Sequence, residues 1–233
     1  MKASESAATG FESTAPRRWV ALFDLDGTLT WHDTLLPFLL GFLRRHPPRW
    51  LGLWRLPFAL LSFLLRGRDR GVLKSRVIRM VMGGASRPQI DACAESFVDS
   101  LMPRHRLRPT ALVMLETHRA AGDTLVLLSA SPDLYVPRIG RALGFERTLC
   151  TELEWREDRL IGTLATANRR GAEKSRCLAW LRTQYPDLPI VAYGNSASDL
   201  DHMRLADRAL LVNGNAAARA LAAQSGIPAA DWI

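Results

Sequence analysis

The sequence predicts an α/β protein: a parallel sheet with helices on both faces, interrupted soon after its first strand by an α-helical insertion. Three observations lead there. From residue 109 onward, helical and extended patterns alternate. Residues from about 34 to 105 carry no strand pattern. The apolar run "WVALF" at 19–23 belongs with the later strands, so the helical block divides one sheet rather than preceding it.

Taken in order, 19–23 is a short buried strand. Residues 34–65 read as helical, broken around "RRHPPRW" by Pro47 and Pro48. Helices follow over 73–82 and 87–101, separated by Gly83 and Gly84. "PTALVMLETHRAAGDT" is a helix with Pro109 in its first turn and Gly122 past its end. "LVLL", 125–128, is a strand ending at Ser129. Then come a helix at 133–143, an extended stretch at 148–153 and a hairpin in "WREDRLIGTL". A helix at 172–183, a strand at 189–193, a helix at 199–206, a strand at 209–212 and a helix at 216–225 complete the pattern. The expected organisation is a disordered leader (1–18), a catalytic core (19–33 and 106–233) and a helical cap (34–105).

Composition limits the function. The 233 residues are 48% apolar and 23% charged, ordinary for a globular protein with a sizeable core. Cys93, Cys150 and Cys177 lack metal-ligand spacing and read as free thiols in a reducing cytosol. The leader has no apolar core and does not read as a signal peptide. The formal charge is +8, and residues 35–70, with seven arginines and one aspartate, hold +6 of it. The same stretch carries Trp50, Trp54 and four of the eight phenylalanines.

The chemistry lies where strands end. Strand one runs into Asp24 and Asp26, "LVLL" into Ser129 and Ser131, and "PIVAY" into "GNSASD", Gly194 to Asp199. In open parallel sheets ligands bind at the carboxyl ends of strands, so these clusters converge if the fold is right. Lys174, near the start of its helix, can reach the same edge. Two close carboxylates at a buried strand end need a compensating cation. One carboxylate can attack phosphorus, and the other can protonate the leaving oxygen and then activate water. Strand alternation of period two puts Asp24 and Asp26 on one side. Magnesium, which prefers carboxylate and water oxygens, suits the pair.

In this order, "DLDGT", "SAS", Lys174 and "GNSASD" resemble the four motifs of the haloacid dehalogenase superfamily of phosphatases, over nearly all of 19–215. The insertion resembles the cap of the phosphoserine-phosphatase-like subgroup. The resemblance implies a Rossmann-like core with an inserted helical cap, Mg2+ as cofactor and an aspartyl-phosphate mechanism. It implies Asp24 as nucleophile and metal ligand, Asp26 as general acid/base with its carbonyl on the metal, and Ser129 and Ala130 on the phosphate. Lys174 would orient the phosphate, and Asp199 would serve the metal site. Asn195 stands where that subgroup usually has an aspartate ligand; its amide oxygen can ligate but brings no charge.

Bland readings stand beside these. Ser129 could cap a helix, Lys174 could be a solvated helix lysine, and Asp201 reads as a surface carboxylate. Asp33 fits a substrate-facing acid or the N-cap of the helix at Leu35. His32 and His202 read as incidental. The insertion is a cap bundle, an interfacial hairpin with Arg44, Arg45, Arg49, Arg66 and Arg68 at anionic headgroups, or a nucleic-acid patch. Its apolar runs are shorter than the roughly 18–20 residues of a spanning helix. Its arginines alternate with apolar runs instead of lining a polar face, which disfavours nucleic acid. "FDLDGTLTWHDTLLPFLLGFLRR" and its basic, apolar sequel resemble enzymes of the phosphatidylglycerophosphatase C type. That likeness implies a lipid-linked phosphate, a cytoplasmic location and peripheral contact with the cytoplasmic face of an inner membrane. The alternatives are a soluble phosphatase of the phosphoserine kind and a binding protein that kept the fold but lost turnover.

Overall fold

The computed structural model describes residues 18–65, 69–103 and 106–233. The expected leader, apart from Arg18, lies outside the described residues, as do Arg66 and Arg68. β1 (Val20–Phe23) is the centre of a six-stranded sheet ordered β3-β2-β1-β6-β7-β8, parallel throughout. The other strands are β2 (Thr124–Pro132), β3 (Arg147–Thr151), β6 (Ile190–Gly194), β7 (Arg208–Val212) and the short β8 (Ala229–Ala230). Phe23 lies level with Leu127 of β2 and Tyr193 of β6, so β1 and β6 end within a residue of each other while β2 runs on beside them.

Period two in β1 divides the core. Ala21 and Phe23 pack with α5 (Pro109–Ala120) and α6 (Val136–Ala142). Val20 and Leu22 pack with α7 (Ala172–Gln184), the single turn α8 (Leu200–Met203) and α9 (Ala216–Gln224). Each face of the strand thus buries its own helix layer, which is what a near-continuous apolar strand requires.

Between β1 and α5 the chain is helical: α1 (Leu35–Arg45), a 3-10 segment (Pro47–Arg55), α2 (Leu56–Leu65), α3 (Arg70–Met82) and α4 (Arg87–Leu101). Pro47 and Pro48 end α1, as the missing N–H groups demand, and open the 3-10 segment. Asp69 caps α3, its Oδ1 accepting from Gly71 N at 2.7 Å. The helices share one apolar cluster with the α5/α6 face, joined through Phe38 and Phe97 against Tyr135.

The structure departs from the sequence reading in several places. β2 runs on through "SAS" to Pro132, α6 starts only at Val136, and α8 is one turn where 199–206 is expected to be a full helix. The hairpin β4 (Leu153–Arg156) and β5 (Arg159–Leu164) packs on α3, not on the main sheet. Gly162 makes this possible: at φ +84° a Cβ there would come within 2.8 Å of the Arg79 backbone. Ser75 Oγ donates to Gly162 O at 3.0 Å, and Gly84 N to Leu160 O at 2.8 Å. A segment late in sequence therefore supports the early helices, a pairing that local patterns do not reveal.

Candidate active site

β1 stops at Phe23, and a turn begins. Leu29 N donates to Leu25 O at 2.9 Å, and Gly27 sits at φ +82°. Asp24 and Asp26 share one cavity because of this turn, not because strand alternation continues through them. Gly27 is needed for a second reason: a Cβ there would collide with the Asn195 side chain, which lies against it.

Asp24 is 7% exposed and Lys174 3%. Lys174 Nζ donates to Asp24 Oδ1 at 2.6 Å and to Asp199 Oδ1 at 2.7 Å. The other Asp199 oxygen accepts from Ser196 N at 2.9 Å, Ser196 Oγ at 2.7 Å and Asn195 N at 3.2 Å. One ammonium thus serves two buried carboxylates. Burial, with Asp199 and Asp26 nearby, pushes Asp24 up to about 7 despite Lys174. Burial also disfavours the Asp199 charge, yet Lys174 holds that group well below the usual carboxylate range. Burial opposes the Lys174 charge too, but the two carboxylates more than offset it and hold the ammonium above its ordinary value.

Asp26 has different neighbours. Ser131 Oγ donates to its Oδ2 at 2.6 Å, while Thr34 donates to Oδ1 from its hydroxyl at 2.6 Å and its backbone N–H at 2.8 Å. Thr34 Oγ1 also meets Tyr135 OH at 2.9 Å. Burial first, then the Asp33 charge, raises the Asp26 carboxyl above its usual range against those hydrogen bonds. Asp26 is therefore held in one orientation and inclined to carry a proton.

Asp24, Asp26, Asp33, Ala130, Lys174, Asn195 and Asp199 all line one cavity of about 780 Å³. Ser129 does not. It is fully buried at the sheet end, its Oγ accepting from Ser131 N at 3.0 Å, and Ala130 and Ser131 present the strand end to the cavity instead. Asp33 lines the cavity, and its Oδ1 accepts from Leu35 N at 2.9 Å just ahead of α1, whose N-cap position is Thr34.

Other residues here escaped the sequence reading. Lys74 of α3 donates to Ala130 O at 2.5 Å and Asn168 Oδ1 at 2.6 Å, so an insertion helix grips the end of β2. Burial lowers Lys74 to about 8, against the pull of Asp26 and Asp33. Arg70 and Arg170 line the same cavity. Thr34 is findable as a polar neighbour of the first motif; Lys74 has no local signal. His202, read as incidental, is buried near Lys174 and Asp199, and burial, then Lys174, lowers it to about 3.

The donor set can be tested for magnesium. Among the described residues no group of three or more His, Cys, Asp or Glu side chains could hold a metal. Asp24, Asp26, Asn195 and Asp199 line the cavity and carry carboxylate, carbonyl and amide oxygens, hard donors of the kind that fit magnesium with waters completing the shell. Two buried carboxylates on a single ammonium leave negative charge uncompensated, as a cation site requires. Both oxygens of Asp199 accept hydrogen bonds, as do both of Asp24, from Lys174 and Thr28, so either carboxylate could face a cation only by sharing these donors.

Residues 21–204 match the haloacid dehalogenase-like hydrolase family. Protein CicA of Caulobacter vibrioides is 36% identical over 189 residues, covering 79% of this chain and 82% of that protein. A Bordetella pertussis protein of unknown function superposes with a TM-score of 0.77 at 24% identity, over 92% of this chain and 99% of that one. A probable phosphoserine phosphatase from Vibrio cholerae superposes at 0.66 and 16% identity, over 94% of this chain and 62% of that one. The chain belongs to the haloacid dehalogenase-like hydrolase family, with the fold of its phosphoserine-phosphatase-like group.

Proposed function

We propose that this hydrolase is a magnesium-dependent phosphatase that cleaves phosphomonoesters through an aspartyl-phosphate on Asp24. The observation that carries this is the pair of unlike carboxylates in one cavity: Asp24 against Lys174 at 2.6 Å, and Asp26 held by Ser131 and Thr34. An Asp24 oxygen attacks phosphorus and the phosphorus–oxygen bond to the leaving group breaks. Asp26 gives that oxygen its proton. Water then attacks the aspartyl-phosphate while Asp26 takes the water's proton, which releases phosphate and restores Asp24. Lys174 favours the ionised, nucleophilic form of Asp24 against the effect of burial and offsets phosphate charge. Asp24, the Asp26 carbonyl and Asn195 would hold magnesium, which when bound supplies positive charge to phosphate oxygens. The backbone N–H of Ala130 would receive the phosphate, beside the buried Ser129 whose Oγ holds the Ser131 N–H.

The leading substrate class is a lipid-linked phosphate such as phosphatidylglycerophosphate, met in peripheral contact with the cytoplasmic face of an anionic membrane. What supports it is the cavity wall of Leu35, Leu36, Leu39, Phe63, Leu73 and Val77. No described helix is long and apolar enough to cross a membrane. A second reading, a small soluble monoester, draws on Arg70, Lys74 and Arg170, cations suited to a substrate carboxylate.

A panel of an aryl phosphate, phosphoserine, lysophosphatidate and phosphatidylglycerophosphate, each with magnesium and with chelator, decides among these. Magnesium-dependent aryl phosphate hydrolysis is expected, with the lipid phosphates turned over faster than phosphoserine. Hydrolysis unaffected by chelator would sink the metal-assisted mechanism. A clear preference for phosphoserine would replace the lipid reading.

A further inference from the structure

The outward face of the 3-10 segment and α2 is apolar. Leu51, Trp54, Phe58, Leu61 and Leu65 recur at three- and four-residue spacing, one stripe along a helical surface. They are 79%, 63%, 64%, 53% and 74% exposed. The other side of α2 is anchored: Ala59 is buried, and Ser62 Oγ accepts from Arg76 of α3 at 2.6 Å. Packing on α3 therefore turns the stripe outward. Contiguous apolar surface of this kind is rare on a protein that works alone in water.

Three features say what covers it. The first is charge. Residues 35–70 carry +6, Arg55 stands 5.2 Å over the Trp54 ring, and Arg70 is exposed at the start of α3. Two copies meeting on this face would bring two such segments together, whereas anionic headgroups complement them. The second is length. At 10 residues, α2 is too short to span a bilayer and suits the interfacial plane. The third is continuity. Phe63 of the same helix lines the catalytic cavity with Leu36 and Leu39.

We infer that the outward face of α2, with Trp54, seats the protein on an anionic bilayer, so that a membrane-held phosphomonoester reaches Asp24 along the Phe63–Leu36 wall. The docking stands on the exposed stripe; its use for substrate delivery rests on the lipid-phosphate reading above.

Co-sedimentation of the full chain with vesicles of phosphatidylcholine, with and without phosphatidylglycerol, tests the docking. The protein should pellet with the anionic vesicles and be partly released by salt. Phe58→Glu together with Leu61→Glu should weaken vesicle binding by at least about tenfold, because each lost apolar insertion is worth about that factor. Neither residue lines the cavity, so aryl phosphate hydrolysis should be unchanged, which also reports that the variant is folded. Phe58→Leu with Leu61→Met should bind like the wild type. The docking is overturned if the wild type stays in the supernatant with both vesicles, or if the Glu variant binds as well as the wild type. It is also overturned if light scattering finds a dimer that the Glu variant splits. If vesicle binding behaves as expected but only soluble monoesters are hydrolysed, the docking stands and the lipid substrate falls.

Discussion

At the catalytic end of the sheet, Asp24, Lys174 and Asp199 are buried; on the 3-10 segment and α2, Trp54, Phe58, Leu61 and Leu65 face outward. One region hides charge and the other exposes apolar surface, and each inverts the usual partition. The buried charges are sustained by one another: every oxygen of Asp199 has a donor, and Lys174 bridges two carboxylates. The exposed side chains touch mainly one another and their own neighbours, Trp54 meeting Phe58 and Arg55, and stay open to solvent. A protein therefore departs from the ordinary pattern in two distinguishable ways. An internal network closes on itself, except for the negative charge left for a cation and a phosphate to meet. An external face stays open until something outside the chain covers it.

The strongest way to break that comparison is Asp24→Asn. If Asp24 is the nucleophile, turnover should fall on the order of 10⁴-fold or more, because an amide does not attack phosphorus. The unfolding transition should remain cooperative, since Lys174 keeps Asp199. Near-normal turnover on an aryl phosphate would remove Asp24 from the chemistry.

Next is Lys174→Met, which strands two buried carboxylates and should cost about 3–5 kcal/mol in urea unfolding at neutral pH. The sign with pH follows from Asp199. Its carboxyl is held below the ordinary range by Lys174, so it contributes stability at neutral pH that is lost as the pH falls through and below that range. The variant lacks that contribution, so the two proteins should converge toward acid. A constant gap from neutral to acid pH would mean that the ion pairs are not what holds this end of the sheet together.

A smaller effect is expected from Asn195→Asp. It adds a carboxylate beside Gly27 and Asp24, and should lower the magnesium concentration for half-maximal activity by about tenfold, since ligand charge tunes cation affinity. An unchanged or raised requirement would exclude residue 195 as a ligand.

The smallest effect belongs to the other region. Phe58→Ser in solution should change unfolding free energy by no more than about 1 kcal/mol, since the only packing partner among the described aromatic rings is the exposed Trp54. A loss of several kcal/mol would show that the α2 face is covered within the chain's own fold, and the contrast between the two regions would collapse.

Much of the site was legible because its residues follow strand ends, where sequence proximity and spatial proximity coincide. Asp24, Asp26, Ala130 and Asn195 each lie within a few residues of an apolar run that had to be a strand. Lys174 was legible through the order of motifs. Ser129 is expected on the phosphate, yet β2 continues past it with the side chain buried, while Ser131 reaches Asp26. Lys74 was not readable, because its partners, Ala130 and Asn168, are 56 and 94 residues away. The β4–β5 hairpin was readable as a hairpin but not in its placement against α3.

The sequence by itself determined the alternation of strands and helices, the position of the insertion, and the two aspartates at the first strand's end. These follow from local periodicity and turn chemistry, which act within a few residues. It also determined that residues 35–70 are both basic and apolar. Tertiary structure alone decided which side of that segment is buried. The 16 residues "WLGLWRLPFALLSFLL" are apolar almost all round, so no local pattern selects a face. Packing of Ala59 and Ser62 on α3 selects one and turns Trp54, Phe58, Leu61 and Leu65 outward. Tertiary structure likewise decided that a single lysine serves both Asp24 and Asp199. Burial raises the energy of every unpaired charge, and only the folded chain brings these three, 150 and 25 residues apart, within hydrogen-bonding distance.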